Sequence, residues 1–171
     1  MISFRLIGLA LATFLASFNA RATDLSLPNG WREPNEVELS DAWRGDSPDR
    51  HASVAGDFNG DGQVDRAMLL VSDARHSFAL FVYLSTGKSH VWHKVSETKD
   101  QSLIHGVGVE VVRPGEYKTA CGKGYVKCKR GEPRIIRPTA DVVSYYKTES
   151  WSSYVYFDAS AKALKRVWMS D

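Results

Sequence analysis

Oxygen-bearing side chains recur through the run Asp57-Phe58-Asn59-Gly60-Asp61-Gly62-Gln63-Val64-Asp65, at its first, third, fifth and ninth positions, with Gly62 at the sixth. A short loop with that spacing can wrap one hard cation. Asp57, Asn59, Asp61 and Asp65 supply side-chain oxygens and Gln63 a backbone carbonyl. Without a cation the three carboxylates repel one another. The spacing therefore predicts a calcium site. A metal-free Asn/Asp/Gly turn is the alternative, and it accounts for Gly60 and Gly62 but not for Asp57 and Asp65. An EF-hand is excluded, because its twelfth position needs Glu and here holds Met68.

A second cluster lies where the charge changes sign. Asp24 to Asp65 holds Asp or Glu at 24, 33, 36, 38, 41, 46, 49, 57, 61 and 65 against Arg32, Arg44 and Arg50. Arg113 to Arg137 holds Lys or Arg at 113, 118, 123, 127, 129, 130, 134 and 137 against Glu116 and Glu132. Two such segments can face each other or lie in solvent. A clustered basic patch can also steer an anionic partner toward it. Within the basic segment sit the only two cysteines, Cys121 and Cys128. In an oxidising compartment they are expected to pair, closing a short basic loop. Lys118, Lys123, Lys127, Lys129 and Arg130 are the residues this loop would offer to a partner.

No catalytic set emerges. There is no Gly-x-Ser-x-Gly elbow, Walker loop or His-Glu-x-x-His motif. His90 and His93 fall on one expected strand with side chains on opposite faces, so they do not form a metal pair. His51, His76 and His105 read as ordinary histidines. Glu110 and Glu116 have no spacing that marks an acid and base pair. Tyr145, Tyr146, Trp151, Tyr154, Tyr156 and Trp168 read as core and cross-strand aromatics. A carbohydrate platform would need several of them exposed on one face.

The elements that must position these groups are strands. Ala52–Ala55 enters the acidic loop and Arg66–Val71 leaves it. Ser77–Leu84 and His90–Val95 flank an expected turn at Thr86–Ser89. Val107–Val112 is a further strand, Arg134–Arg137 a short one, and Ser153–Asp158 with Leu164–Met169 a final hairpin. Ala140–Lys147 reads as strand or helix, with its content leaning to strand. The expected fold is mainly β, with α+β as the alternative: a single antiparallel β-sheet domain carrying the calcium-type strand–loop–strand element.

Residues 1–22 read as a Sec-type signal peptide, with the apolar stretch Leu6–Phe18 and the cleavage site Ala20-Arg21-Ala22. An uncleaved anchor is the alternative. Residues 23–50 read as an extended lead-in held by Trp31 and Trp43, and 51–171 as the β-rich domain. The net charge of +2 resides in Arg5 and Arg21, so the mature chain is formally neutral. Bulk charge does not support nucleic-acid binding. No segment of the mature chain is long and apolar enough to span a membrane.

The acidic run from Gly56 to Asp65, followed by an apolar strand, resembles the calcium loop of FG-GAP and VCBS-type repeats. That resemblance implies calcium bound by Asp57, Asn59, Asp61, Asp65 and the Gln63 carbonyl. The single copy departs from those repeats, so no propeller is implied. The segment Pro114–Tyr125 and the terminal Val167–Asp171 resemble small exported proteins of Gram-negative bacteria. Some exported proteins with such a loop are immunity proteins or inhibitors of cell-wall-degrading toxins. The expectation is a periplasmic or secreted, non-catalytic binding protein with a protein partner such as a cell-wall hydrolase or toxin. An envelope glycan-binding module and an uncharacterised hydrolase are the alternatives.

Overall fold

The computed structural model describes residues 25–85 and 89–170. The expected signal peptide and residues 86–88 of the expected turn lie outside the described residues. Ten antiparallel strands follow: β1 Ser53–Gly56, β2 Asp65–Ser72, β3 Ser77–Ser85, β4 His90–Thr98, β5 Val107–Val112, β6 Tyr117–Lys118, β7 Ile135–Ile136, β8 Val142–Lys147, β9 Ser152–Asp158 and β10 Ala163–Ser170. Two one-turn helices, α1 Glu36–Leu39 and α2 Ala120–Lys123, complete the regular structure with three short 3₁₀ turns. The mainly β antiparallel expectation holds. Ala140–Lys147 resolves as strand, and β6 is an element the sequence reading did not contain.

Strand spacing alone does not say how the strands divide. They form one four-stranded sheet in the order β1-β2-β3-β4, a second in the order β10-β9-β8-β5, and the β6-β7 pair. Side chains of β2 and β3 alternate between two apolar environments. Ala67, Leu69, Val71, Phe78, Leu80 and Val82 face the second sheet and share a core with Val107, Val109, Val143, Tyr145 and Val155. Met68, Leu70, Ala79 and Phe81 face the other way, where Leu25, Leu27, Trp31 and Trp92 cover them. Both faces of the central hairpin are thus dry, which is why its residues read as an almost unbroken apolar run.

The two sheets meet at one corner. Val109 N donates to His51 O at 2.9 Å and Asp141 N to Asp57 O at 3.0 Å. At the opposite side, β4 and β10 are the free sheet edges. The outer face of the second sheet is covered by β6-β7, with Tyr117, Ile136, Tyr154, Tyr156, Val167 and Met169 in one cluster.

The lead-in is held closely. Trp31 packs edge-on against Phe81 at 4.9 Å. Arg32 pairs with Val71 as a β-bridge and forms ion pairs with Glu38 and Asp73. Asn35 and Glu38 form a capping box for α1. Arg44 is fully buried and is satisfied by backbone carbonyls: its Nε donates to His105 O at 3.3 Å, Nη1 to Pro48 O and Arg50 O, and Nη2 to Val107 O. One side chain therefore ties the lead-in to β5 and to the turn before it. Among the described residues no helix is long and apolar enough to cross a membrane.

Replacing Arg44 leaves buried carbonyls without donors, each costing about 1–3 kcal/mol. Arg44→Met should lower the unfolding free energy in urea by about 3 kcal/mol. A loss under about 1 kcal/mol would show that other donors can replace the guanidinium.

Candidate functional site

The acidic loop is short because β1 and β2 pair in register up to Gly56 and Asp65. Phe58 is buried in the core and anchors the loop from within. Gly60 and Gly62 have φ of 79° and 80°, the left-handed region that glycine enters without strain. The Asp57 carboxylate accepts from Gly60 N at 2.7 Å, Asp61 N at 3.1 Å and Gly62 N at 2.9 Å. Asn59 Oδ1 accepts from Asp61 N, and Asp61 accepts from Gln63 N and from Asn59 Nδ2.

Asp65 is fully buried and accepts from Phe58 N and Ser85 N, both at 2.8 Å. Burial pushes its carboxyl up, and the Ser85 and Phe58 N–H groups pull it back. The donor set is hard oxygen throughout and suits calcium in chemistry. Its arrangement is a loop closed by its own N–H groups. Among the described residues no group of three or more His, Cys, Asp or Glu side chains is placed to hold a metal.

The basic loop is fixed at both ends. Cys121 and Cys128 form the expected disulfide. Thr119 caps α2 by accepting from Gly122 N, and it donates to Pro133 O at 2.8 Å. A Cβ on Gly122 would stand 1.8 Å from the Arg134 carbonyl oxygen, so only glycine fits this approach. Lys123 Nζ donates to Met169 O at 3.0 Å, tying the loop to β10. Lys123, Lys127, Lys129 and Arg130 are all exposed, as is Lys118 on β6, but Lys123 also holds this backbone contact. Tyr125 and Val126 are also exposed, at 59% and 39%. The sequence reading passed over both, although an aromatic and a valine inside a disulfide loop have no core to enter.

Between this loop and the second sheet lies a groove of about 460 Å³ lined by Val126, Lys127, Lys129, Glu132, Trp151 and Trp168 among others. Trp168 is 43% exposed and meets Trp151 edge-on at 5.7 Å. Loop cations and sheet aromatics, distant in sequence, thus share one concave surface.

Two other titratable clusters bear on catalysis. His105 Nδ1 lies 2.8 Å from Asp41 Oδ2. His105 lines a cavity of about 510 Å³ with Glu38, Ser40, His76, Gln101 and Ser102. Ser102 Oγ donates to Asp100, and the Glu38 oxygens accept from Arg32, Asn35 N and Gln101. Among the described residues no hydroxyl or thiol is hydrogen-bonded to His105. On the outer face of the second sheet, Glu110 Oε1 lies 3.1 Å from His51 Nδ1 and accepts from Tyr146 Oη at 3.0 Å. Trp43 stacks on His51 at 5.3 Å, and Gly108 makes room for the Trp43 and Tyr146 rings. These groups satisfy one another while docking the lead-in.

A Cys121→Ser/Cys128→Ser variant should lose about 2.5 kcal/mol of stability, the amount expected for so short a closed loop. Trypsin should then cut between Lys123 and Arg130 before the sheets unfold. An unchanged cleavage rate would show that Thr119 and Lys123 hold the loop without the disulfide.

Comparison with protein-family models, with curated proteins and with solved structures found no match.

Proposed function

We propose that this chain is an exported, calcium-stabilised binding protein that blocks a cell-wall hydrolase or related toxin with its disulfide loop. The observation that carries the reading is the composition of that loop's tip. Tyr125 and Val126 are exposed beside the cations Lys127, Lys129 and Arg130, on a segment fixed by Cys121–Cys128 and by the Lys123–Met169 contact. An exposed aromatic ringed by positive charge is the composition of a binding hot spot. Fixing the segment beforehand lowers the ordering cost of association. An acidic active-site cleft is the complementary surface. The expected signal peptide and the Cys121–Cys128 disulfide are in keeping with an oxidising, extracytoplasmic setting.

The envelope-glycan reading draws on a different observation, the Trp151–Trp168 pair in the groove beneath the loop. Exposed indole faces suit sugar rings, whereas loop cations suit an acidic protein cleft. The readings separate by variant. Lys127→Glu/Lys129→Glu/Arg130→Glu should weaken inhibition of peptidoglycan digestion, across a set of lysozyme- and amidase-type hydrolases, at least about tenfold, while Trp168→Ala spares it. Loss of binding to soluble peptidoglycan fragments in Trp168→Ala alone would favour the glycan reading. Indifference to both variants would exclude both.

Calcium is proposed to fill the Asp57–Asp65 loop and neutralise its carboxylates. Millimolar calcium should then raise the melting temperature of the wild-type protein and not that of Asp61→Ala. Equal melting curves with calcium and with chelator would remove the metal from the proposal.

A further inference from the structure

The side of the molecule where β4 and β10 remain unpaired carries a feature that the proposed function does not use. Along β10, Leu164, Arg166 and Trp168 alternate with Val167 and Met169, which pack under β6-β7. Arg166 therefore points toward the seam between the two sheets. Its guanidinium lies 4.5 Å from the Trp168 ring centroid, 4.9 Å from that of Tyr145 and 5.6 Å from that of Trp151. Its Nε donates to Ser153 Oγ at 2.9 Å, and its Nη1 reaches across the seam to Ser96 Oγ on β4 at 3.2 Å.

Among the described residues no carboxylate forms an ion pair with Arg166. A guanidinium carries five N–H donors, and the two serines engage only two of them. Burial pushes this guanidinium down from its ordinary value, in keeping with a charge removed from water and left without a counter-ion. Arg44 is different, since backbone carbonyls satisfy it.

Arg166 lines a crevice of about 320 Å³ with His93, Lys94, Val95, Lys162 and Leu164. Among the described residues no acidic side chain lines it. Lys94 is paired with Glu97, whereas Lys162 is exposed and forms no ion pair among the described residues. His93 reaches the same crevice. His93 pairs with Val82, whose side chain faces the second sheet, so regular alternation along β4 turns it toward the seam. The histidine that the sequence marks as ordinary thus stands at the rim of a basic cleft. Val95, Ala163 and Leu164 supply apolar wall. The lining shares no residue with that of the disulfide-loop groove.

We propose that this seam crevice binds a small organic oxyanion, held by Arg166 and Lys162 with His93 at the rim and the carbon body of the ligand against Val95 and Leu164. The shared chemistry is a compact anionic oxygen group, supplied either by a carboxylate on a sugar-sized acid or by a phosphate. Arg166 favours a planar carboxylate through its forked donors, and Lys162 serves either as a point charge.

Titration of the full chain with glucuronate, inorganic phosphate and neutral glucose tests this by calorimetry and by imidazole NMR signals. The expected result is saturable binding of glucuronate or phosphate, none of glucose, and movement of the His93 signals. Lys162→Glu is an exposed change that leaves the core untouched, and it should weaken that binding at least about tenfold. Arg166→Lys, checked for folding by its melting curve, keeps charge but loses the fork. It should cost glucuronate more than phosphate if the ligand is a carboxylate, and both similarly if it is a phosphate. Absence of binding by either anion to the wild-type chain at millimolar concentration overturns the proposal. So does binding that Lys162→Glu leaves unchanged.

Discussion

The β2–β3 hairpin is apolar on both faces, and the rest of the molecule is arranged to keep both dry. Leu69, Leu70, Val71, Ala79, Leu80 and Val82 are all essentially inaccessible. A hairpin of that kind cannot be half of a sheet with one wet face. One cover is the second sheet, which lays Val107, Val109, Val143, Tyr145 and Val155 over it. The other is the lead-in, which lays down Leu25, Leu27 and Trp31. Burial of each large apolar side chain contributes about 1.5–3 kcal/mol, so the two covers rather than the strand pairing alone hold the hairpin in place.

Two buried charged side chains fix segments around the hairpin, and both are satisfied by backbone. Arg44 holds the lead-in through carbonyls of the segments it must meet, and Asp65 holds the acidic loop to the end of β3 through N–H groups of Phe58 and Ser85. A desolvated charge is tolerable only when its hydrogen bonds are made. Backbone partners stand at fixed positions, so each ion specifies where its segment lies. Asp65 thus has a structural task in addition to any contribution to a cation. The same oxygen atoms that the spacing marks as ligands also organise the turn.

The molecule separates its surfaces by charge and edge. The disulfide loop rises beside β10, with Tyr125 and Val126 exposed at its tip and Trp151 and Trp168 lining the groove beneath. The seam between β4 and β10 holds Arg166, which bridges the two edges without closing them into a hydrogen-bonded barrel. Trp168 stands near both, exposed in the groove and stacked on Arg166 toward the seam.

Much of this was legible in the chain itself. Period-two alternation and β-branched content located the strands, because such patterning follows from the pleat and needs no knowledge of partners. Val107–Val112 matches β5 end to end, and the final hairpin gains only Ser152, Ala163 and Ser170. The Cys121–Cys128 disulfide followed from the count of two cysteines and the expectation of export. Local turn chemistry accounts for Gly60 and Gly62, and the structure places both at positive φ.

What the tertiary structure decided are the juxtapositions. Division of the strands into two sheets depends on long-range pairing, which no local window contains. Tyr117–Lys118 is too short to carry a period and becomes a strand only by pairing with Ile135–Ile136. Lys123 looked like its basic neighbours until its ammonium met the Met169 carbonyl. Arg44, Arg166 and His93 are single residues in ordinary context, and their roles come from burial and from groups many residues away. Sequence determines which residues can bury, turn and carry charge. Only packing determines which charges lose their water and which of those find a partner within the fold.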